Sequence, residues 1–173
     1  MNIAEYNSCV EKYLKMVYRI SFHYFGNRED AEDVSQDVFT KLFSSTVKFK
    51  SDEDVKAWLI RVTTNMCHSY YRNPFRRRRT EIDETELENI ADISSSEQRL
   101  VDRKVVIDAV MSLPEHYRII VYLFYYEEYS IHQISSILKI KETTIQTRLS
   151  RAREKLRNIL SDSFEEGVPY ELY

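Results

Sequence analysis

Glycine and proline are scarce in this chain of 173 residues, which has two of the former and three of the latter. Tight β-hairpin turns depend on the positive φ angles that glycine adopts easily, so hairpins have almost no residue to use here. The two glycines, Gly26 and Gly167, are also too far apart for a glycine-rich loop around phosphates. The sequence therefore predicts an all-α fold and disfavours dinucleotide and P-loop nucleotide sites.

Cysteine and long apolar runs are equally sparse. Cys9 and Cys67 are the two cysteines, and neither belongs to a Cys-x-x-Cys pair, which disfavours a disulfide framework and a structural zinc site. No stretch approaches the roughly 18 apolar residues of a membrane span, and the N-terminus has no basic segment followed by an apolar run. We expect a cytoplasmic protein with no cofactor and no direct membrane insertion.

The charges are present but unevenly distributed. Residues 81–98 carry seven acidic groups and no basic one, whereas residues 138–160 carry seven basic groups and two acidic ones. The acidic stretch has few bulky apolar residues and a serine run, so it is predicted to be a flexible linker over residues 80–98. An ordinary acidic surface loop remains the alternative. The basic stretch is typical of a segment that binds a polyanion.

Apolar periodicity predicts seven helices and no strand. Gly26 is placed to end the first helix, and Asn27 to cap the second. Ser51 is followed by three acidic residues and predicts the start of a third helix, which Pro74 stops; Trp58 is assigned to the core. The predicted helices span about residues 3–25, 27–42, 51–73, 100–111, 114–124, 130–138 and 142–160.

The last two predicted helices have the spacing of a helix-turn-helix. Ser130 begins the first with a capping box, Ile134 and Ile137 face inward, and Ile145 and Leu149 continue the apolar face after the turn. Polar side chains lie off that face of the second helix: Thr144, Gln146, Thr147, Ser150 and Arg151. Such groups can reach base edges and phosphates in a major groove, so the pattern favours DNA binding over a merely solvated amphipathic helix.

These segments resemble a known family. Residues 113–118, 130–138 and 144–153 are similar to region 4 of bacterial sigma factors. Residues 30–39 resemble the polymerase-binding part of region 2, and residues 57–72 resemble its promoter-melting part. The resemblance covers about residues 5–160 and includes only these two domains, which is the arrangement of the extracytoplasmic-function group of the sigma-70 family.

The resemblance implies a transcription initiation factor without enzymatic activity. Its partners would be core RNA polymerase, through the clamp helices of the largest subunit and the beta flap, promoter DNA, and an anti-sigma factor. The implied domains are region 2 over residues 1–79, the linker over 80–98, region 4 over 99–161 and an acidic tail over 162–173. We assign no role to the tail.

The resemblance also implies three sets of site residues, carried over position by position. The residues expected to contact polymerase are Asp33, Gln36, Asp37 and Phe39. Those expected at the minus-ten element are Phe49, Lys50, Lys56, Arg61, Asn65, Tyr70 and Arg72, with Tyr71 and the four arginines of residues 76–79 nearby. Those expected at the minus-thirty-five element are Lys141, Thr143, Thr144, Gln146, Thr147, Arg148, Ser150 and Arg151. Lys139, Lys141 and Gln146 depart from the common family pattern.

Two other function classes stay open on the sequence alone. A conventional helix-turn-helix regulator would bind duplex DNA without acting as a polymerase subunit. A metal enzyme would use the carboxylates of Glu29, Asp30, Glu32, Asp33 and Asp37. The Glu-x-x-His pairs that di-iron helical bundles need are missing from this segment, which disfavours the enzyme.

Overall fold

A computed structural model describes residues 2–72 and 97–164 of the chain, and these residues confirm the all-α prediction. The helices are α1 (Ile3–Phe25), α2 (Arg28–Phe43), α3 (Asp52–Tyr71), α4 (Glu97–Ser112), α5 (Glu115–Val121), α6 (Ile131–Leu138) and α7 (Glu142–Phe164). Most of the predicted linker, the arginines of residues 76–79 and the end of the acidic tail lie outside the described residues. The helix α4 begins within the last residues assigned to the linker.

Local capping signals set the boundaries of the first three helices, as predicted. Gly26 ends α1 in the left-handed region at φ 72°, where glycine has no steric penalty. The backbone N–H of Asp30 donates to the side-chain oxygen of Asn27 at 2.9 Å. At α3, the N–H of Asp54 donates to Ser51 Oγ at 3.2 Å, and the N–H of Ser51 donates back to the Asp54 carboxylate at 3.2 Å.

The first half of the chain is a three-helix unit in which α1 packs on α2 and α3. Val17, Leu42 and Leu59 are fully buried in its core, and Trp58 is buried as predicted. Leu14, although apolar, lies off the buried stripe of α1 and is 46% exposed. The buried stripe instead runs through other positions one turn apart, namely Tyr13, Met16, Val17 and Ile20.

The second half is built from α4, α5, α6 and α7, with α4 packed on α7. Leu113, Tyr117, Val121 and Ala152 form one buried cluster between α5 and α7. Ile134 of α6 and the residues Ile145 and Leu149 of α7 are buried in a separate hydrophobic cluster. The predicted inward face of these two helices is therefore confirmed.

A π-helical segment, Tyr122–Tyr126, continues α5 and was not predicted. Its wider turn is closed by the N–H of Glu127 donating to the carbonyl of Tyr122 at 3.1 Å. Within the segment the rings of Tyr122 and Tyr126 stack, with centroids 5.2 Å apart and planes at 16°. Periodicity cannot separate an α-turn from a π-turn in five consecutive large residues, so the sequence gives no local signal for it.

The two halves lie directly against each other. The helix α1 contacts α5, and α3 contacts α6. Buried residues of both halves, such as Ile20 and Leu59 from the first and Ile120 and Ile134 from the second, belong to one continuous hydrophobic cluster. The sequence predicted two units joined by a linker that allows separation, and it did not predict this shared core.

Candidate nucleic-acid interface

The helix-turn-helix is formed by α6, a short turn and α7. Ser130 and Gln133 make the predicted capping box, in which the N–H of Gln133 donates to Ser130 Oγ at 3.2 Å and the N–H of Ser130 donates to Gln133 Oε1 at 2.9 Å. Lys139 ends α6 in the left-handed region at φ 57° and ψ 39°. A lysine therefore occupies the turn position that glycine or asparagine would fill with less strain.

The exposed side of α7 carries the set predicted for the minus-thirty-five element. The structure places most of these residues on the solvent side of α7 and its preceding turn: Lys141, Thr143, Gln146, Thr147, Ser150 and Arg151 are exposed, whereas Thr144 and Arg148 are half-buried. The hydroxyl of Thr147 donates to the carbonyl of Thr143 at 2.8 Å. The surface combines hydroxyl, amide and guanidinium groups, the types that read base edges and hold phosphates.

A contact between His132 and Glu142 ties the two helices of this motif together. Their Nδ1 and Oε1 atoms are 2.6 Å apart, and both side chains are exposed. The sequence pattern does not predict this pair, whose members are ten residues apart. An acidic residue in the first turn of a helix is favourable for the helix dipole, which is the only local sequence signal at Glu142.

The loop before α3 is held by the first turn of that helix. Phe49 packs edge-on against Trp58, with ring centroids 5.8 Å apart and planes at 77°. The N–H of Lys50 donates to Asp54 Oδ2 at 3.0 Å. Of the other residues predicted for the minus-ten element, Asn65 and Arg72 are exposed and Arg61 is half-buried.

Lys56 and Tyr70 of the same set have partners within the protein. Lys56 Nζ lies 2.8 Å from Glu127 Oε2 and 5.1 Å from the ring centroid of Tyr129. Burial of Lys56 disfavours its charged form, but the hydrogen bond and charge of Glu127 outweigh this effect and raise the pKa of Lys56. Tyr70 is half-buried and packs edge-on against Phe25 at 5.9 Å.

The polymerase set lies on α2, and three of its four residues are exposed. Asp33, Gln36 and Asp37 are exposed on this helix. Phe39 is 4% exposed and packs in the hydrophobic core with Val38 and neighbouring apolar residues. Its ring therefore does not line a contact surface in this structure. The position of Phe39 along α2 places its ring on the buried face of the helix and not on the acidic face.

Two of the carboxylates considered for a metal centre bind neighbouring side chains at the beginning of α2. Asn27 donates to Asp30 Oδ2 at 2.9 Å, and Arg28 donates to Glu32 Oε1 at 2.7 Å. Over residues 2–72 and 97–164, no three His, Cys, Asp or Glu side chains are arranged to hold a metal ion. Cys9 and Cys67 are free thiols. None of the helices in the described part combines the length and hydropathy that a membrane crossing needs.

The two halves also meet through polar and aromatic contacts. The rings of His23 and Tyr122 are 4.8 Å apart, and Arg118 Nη2 donates to the carbonyl of Tyr24 at 3.4 Å. Burial, together with the neighbouring charges of Arg118 and Arg19, lowers the pKa of His23 to about 3. These partners come from distant parts of the sequence, and nothing in the local pattern predicts them.

Comparisons with known proteins match both halves of the chain. Residues 9–79 match the model of sigma-70 region 2, and residues 103–156 match that of sigma-70 region 4. The ECF RNA polymerase sigma factor SigW of Bacillus subtilis is 28% identical over 166 residues, spanning 88% of this chain and 87% of SigW. SigE of Mycolicibacterium smegmatis is 30% identical over 162 residues, spanning 92% of this chain and 63% of that protein.

Two solved structures share the fold. The sigma factor RpoE of Bartonella quintana, determined in complex with the anti-sigma factor NepR, superposes with a TM-score of 0.69 at 20% identity, covering 92% of this chain and 98% of RpoE. CnrH, determined in complex with the cytosolic domain of CnrY, gives a TM-score of 0.65 at 19% identity and covers 93% of this chain and 90% of CnrH. At these identities the similarity concerns the fold alone.

Proposed function

This chain belongs to the extracytoplasmic-function group of the sigma-70 family, and from this premise we propose that it directs core RNA polymerase to specific promoters as a transcription initiation factor. The observation that carries the proposal is the presence of regions 2 and 4, in that order, on one chain. It acts by binding, while the polymerase performs the chemistry. The domain assignment that we propose is region 2 over residues 1–79, a linker over 80–98 and region 4 over 99–161, followed by the tail.

Region 4 would read the minus-thirty-five element as duplex through α7. Its polar face is exposed and opposite to the buried Ile145 and Leu149, so the helix can enter a major groove without unpacking the domain. Arg151 and Gln146 are suited to base edges, because their side chains can make paired hydrogen bonds. Lys141 and Thr143, at the N-terminal end of α7, are suited to backbone phosphates.

Region 2 would melt and hold the minus-ten element along α3. Asn65 is exposed and carries both a donor and an acceptor, which suits it to one flipped base. The loop with Phe49 and Lys50 precedes the same helix and is fixed by the cap of α3, so it can form the rest of the pocket. Arg61, Arg72 and Lys56 supply positive charge for the backbone of the single strand.

The exposed acidic face of α2 would bind core polymerase. Asp33, Gln36 and Asp37 share this face and present acceptors that complement a basic coiled coil of the clamp. Phe39 is left out of this surface because its ring is buried.

An anti-sigma factor is a further proposed partner, and the cytoplasm is the proposed location. The support for the partner is that RpoE of Bartonella quintana shares this fold and was crystallised with the anti-sigma factor NepR. Such a protein would cover polymerase-binding or DNA-binding surfaces until a signal removes it.

In vitro transcription tests the proposal. Core RNA polymerase is incubated with a genomic promoter library, with and without the full chain, and the start sites are mapped. We expect new, discrete start sites that share two spaced sequence elements. Tight binding of the free protein to one duplex operator, unchanged by polymerase and without initiation, would replace the proposal with a conventional helix-turn-helix regulator.

A further inference from the structure

A network of side chains connects α1, α3 and the π-helical segment where the two halves meet. The hydroxyl of Tyr122 donates to Glu127 Oε1 at 2.8 Å, and Glu127 Oε2 lies 2.8 Å from Lys56 Nζ. The ring of Tyr122 in turn packs against His23. The Glu127 side chain is 12% exposed, so its carboxylate is enclosed between the halves and both of its oxygens have a partner.

Lys56 has an anionic partner within the protein in addition to its proposed partner in DNA. Its ammonium is one of the groups proposed above to contact the phosphates of the melted strand. In the structure the side chain is 30% exposed, bound to Glu127 and adjacent to Tyr129. A carboxylate and a phosphate are both anionic acceptors for the same donor. While Glu127 and Tyr129 enclose Lys56, a DNA phosphate has little access to its ammonium.

We propose that Glu127 competes with promoter DNA for Lys56 and that this contact adds to the shared hydrophobic cluster in keeping regions 2 and 4 closed on each other. The inference rests on the proposed function, which assigns Lys56 to DNA. Opening the halves exchanges the carboxylate of Glu127 for a phosphate of the promoter. Glu127 is thus a positioning residue that lowers DNA binding by the closed chain and does not itself contact DNA.

The strength of such a contact suits reversible control. A partly buried ion pair changes an equilibrium modestly, so a ligand that prefers the open chain can still open it. The apparent affinity for DNA is proportional to the fraction of open chain, so removal of the contact should raise both that fraction and the affinity. The effect should therefore be measurable in the free protein.

The first test compares Glu127→Gln with Glu128→Gln. Both variants remove one negative charge at adjacent positions, but Glu128 is exposed and outside the network. The full-length proteins are titrated into a fluorescein-labelled single-stranded oligodeoxythymidine, and anisotropy is recorded. We expect Glu127→Gln to bind roughly threefold to tenfold more tightly than the wild type, and Glu128→Gln by less than about twofold. Equal gains in both variants would assign the effect to net charge and overturn the proposal.

The second test reverses the pair and needs no DNA. Small-angle X-ray scattering should show Glu127→Lys expanded relative to the wild type, and the double variant Lys56→Glu/Glu127→Lys compact again. Failure of the double variant to regain compaction, with cooperative unfolding intact, overturns the contact. Transcription by the wild type with core polymerase is measured in parallel. Because that assay does not depend on Glu127, it reports a failure of the proposed function separately.

Discussion

Tyr125 and Arg153 join the end of the π-helical segment to α7 through a hydrogen bond of 2.7 Å, in which Arg153 Nε donates to the tyrosine hydroxyl. The guanidinium also lies 5.7 Å from the ring centroids of both Phe124 and Tyr125. Arg153 is thereby held beside aromatic rings, on the part of α7 that follows the proposed DNA-reading residues. The geometry assigns this arginine to the stability of region 4.

We accordingly expect Tyr125→Phe to lower the free energy of unfolding by about 0.5–1 kcal/mol, because one exposed hydrogen bond is lost while the ring remains. Arg153→Ala should cost somewhat more, since both the bond and the cation–π contacts disappear. Chemical denaturation measures both. Duplex binding by the polymerase complex should change little in Tyr125→Phe, and a large loss there would instead place the pair in the DNA interface.

Arg151 provides the sharpest test of the reading face of α7. Arg151→Ala should weaken binding of the polymerase complex to minus-thirty-five duplex by roughly 1–3 kcal/mol if the guanidinium reads a base. Arg157→Ala is the matched control, because it removes the same charge from an exposed position farther along α7. Binding to cognate and scrambled duplexes is compared by anisotropy. A uniform loss on both duplexes would mean that Arg151 contacts phosphate only.

Asn65 tests the proposed melting pocket. Asn65→Ala should reduce promoter opening, because the amide that would hold a flipped base is removed, while assembly with core polymerase stays unchanged. His68→Ala, at another exposed position on α3, serves as the control. Opening is followed by permanganate reactivity of thymines and assembly by native gel. An equal loss of both steps would contradict a role confined to opening.

Local signals were enough to predict the end of α1, the starts of α3 and α6, and the helix-turn-helix. Gly26, Ser51 and Ser130 each act through residues within one turn, so their roles could be inferred from neighbours in the sequence. The exposed polar face of α7 was predicted for the same reason, since the burial of Ile145 and Leu149 follows from helical spacing.

The omissions come from information that is not local, whereas the one error comes from following a motif position instead of the helix register. Phe39 was assigned to a surface by motif position, although its register on α2 places the ring in the core. The contact between Arg118 and Tyr24 joins residues 94 positions apart, and no pattern within either helix requires it. The closed arrangement of the halves therefore became visible only when the chain was folded.

Lys139 offers a test of strain in the turn of the helix-turn-helix. Lys139→Gly should stabilise the protein by about 0.5–1 kcal/mol, because the left-handed conformation at φ 57° costs a lysine more than a glycine. Lys155→Gly removes the same side chain from an exposed site inside α7 and should destabilise by about 1 kcal/mol. Thermal and urea unfolding measure the change in the free energy of unfolding for each variant, and the two changes should have opposite signs. Destabilisation by both variants would mean that the lysine side chain itself supports the turn.

His23 makes stability depend on pH, and the direction can be derived from its surroundings. Burial first, and then the charges of Arg118 and Arg19, lower its pKa from 6.5 to about 3 in the folded protein. Between these values the unfolded chain binds a proton that the folded chain excludes. The stability that His23 contributes in its neutral form is fully present above pH 6.5 and is lost as the pH falls toward 3. Over this range the free energy of unfolding should fall by at most about 1.4 kcal/mol per pH unit because of this residue.

His23→Phe should flatten this acid dependence, because the ring contact with Tyr122 can persist without a titratable nitrogen. Carboxylates also titrate in acid, so the informative quantity is the difference in slope between variant and wild type in urea unfolding from pH 7.5 to 4.5. His68→Asn, at an exposed position of α3, is the control for the loss of a histidine. If His23→Phe and the wild type lost stability in parallel, the histidine would have to accept its proton in the folded state, and the enclosure between α1 and α5 would be open to water.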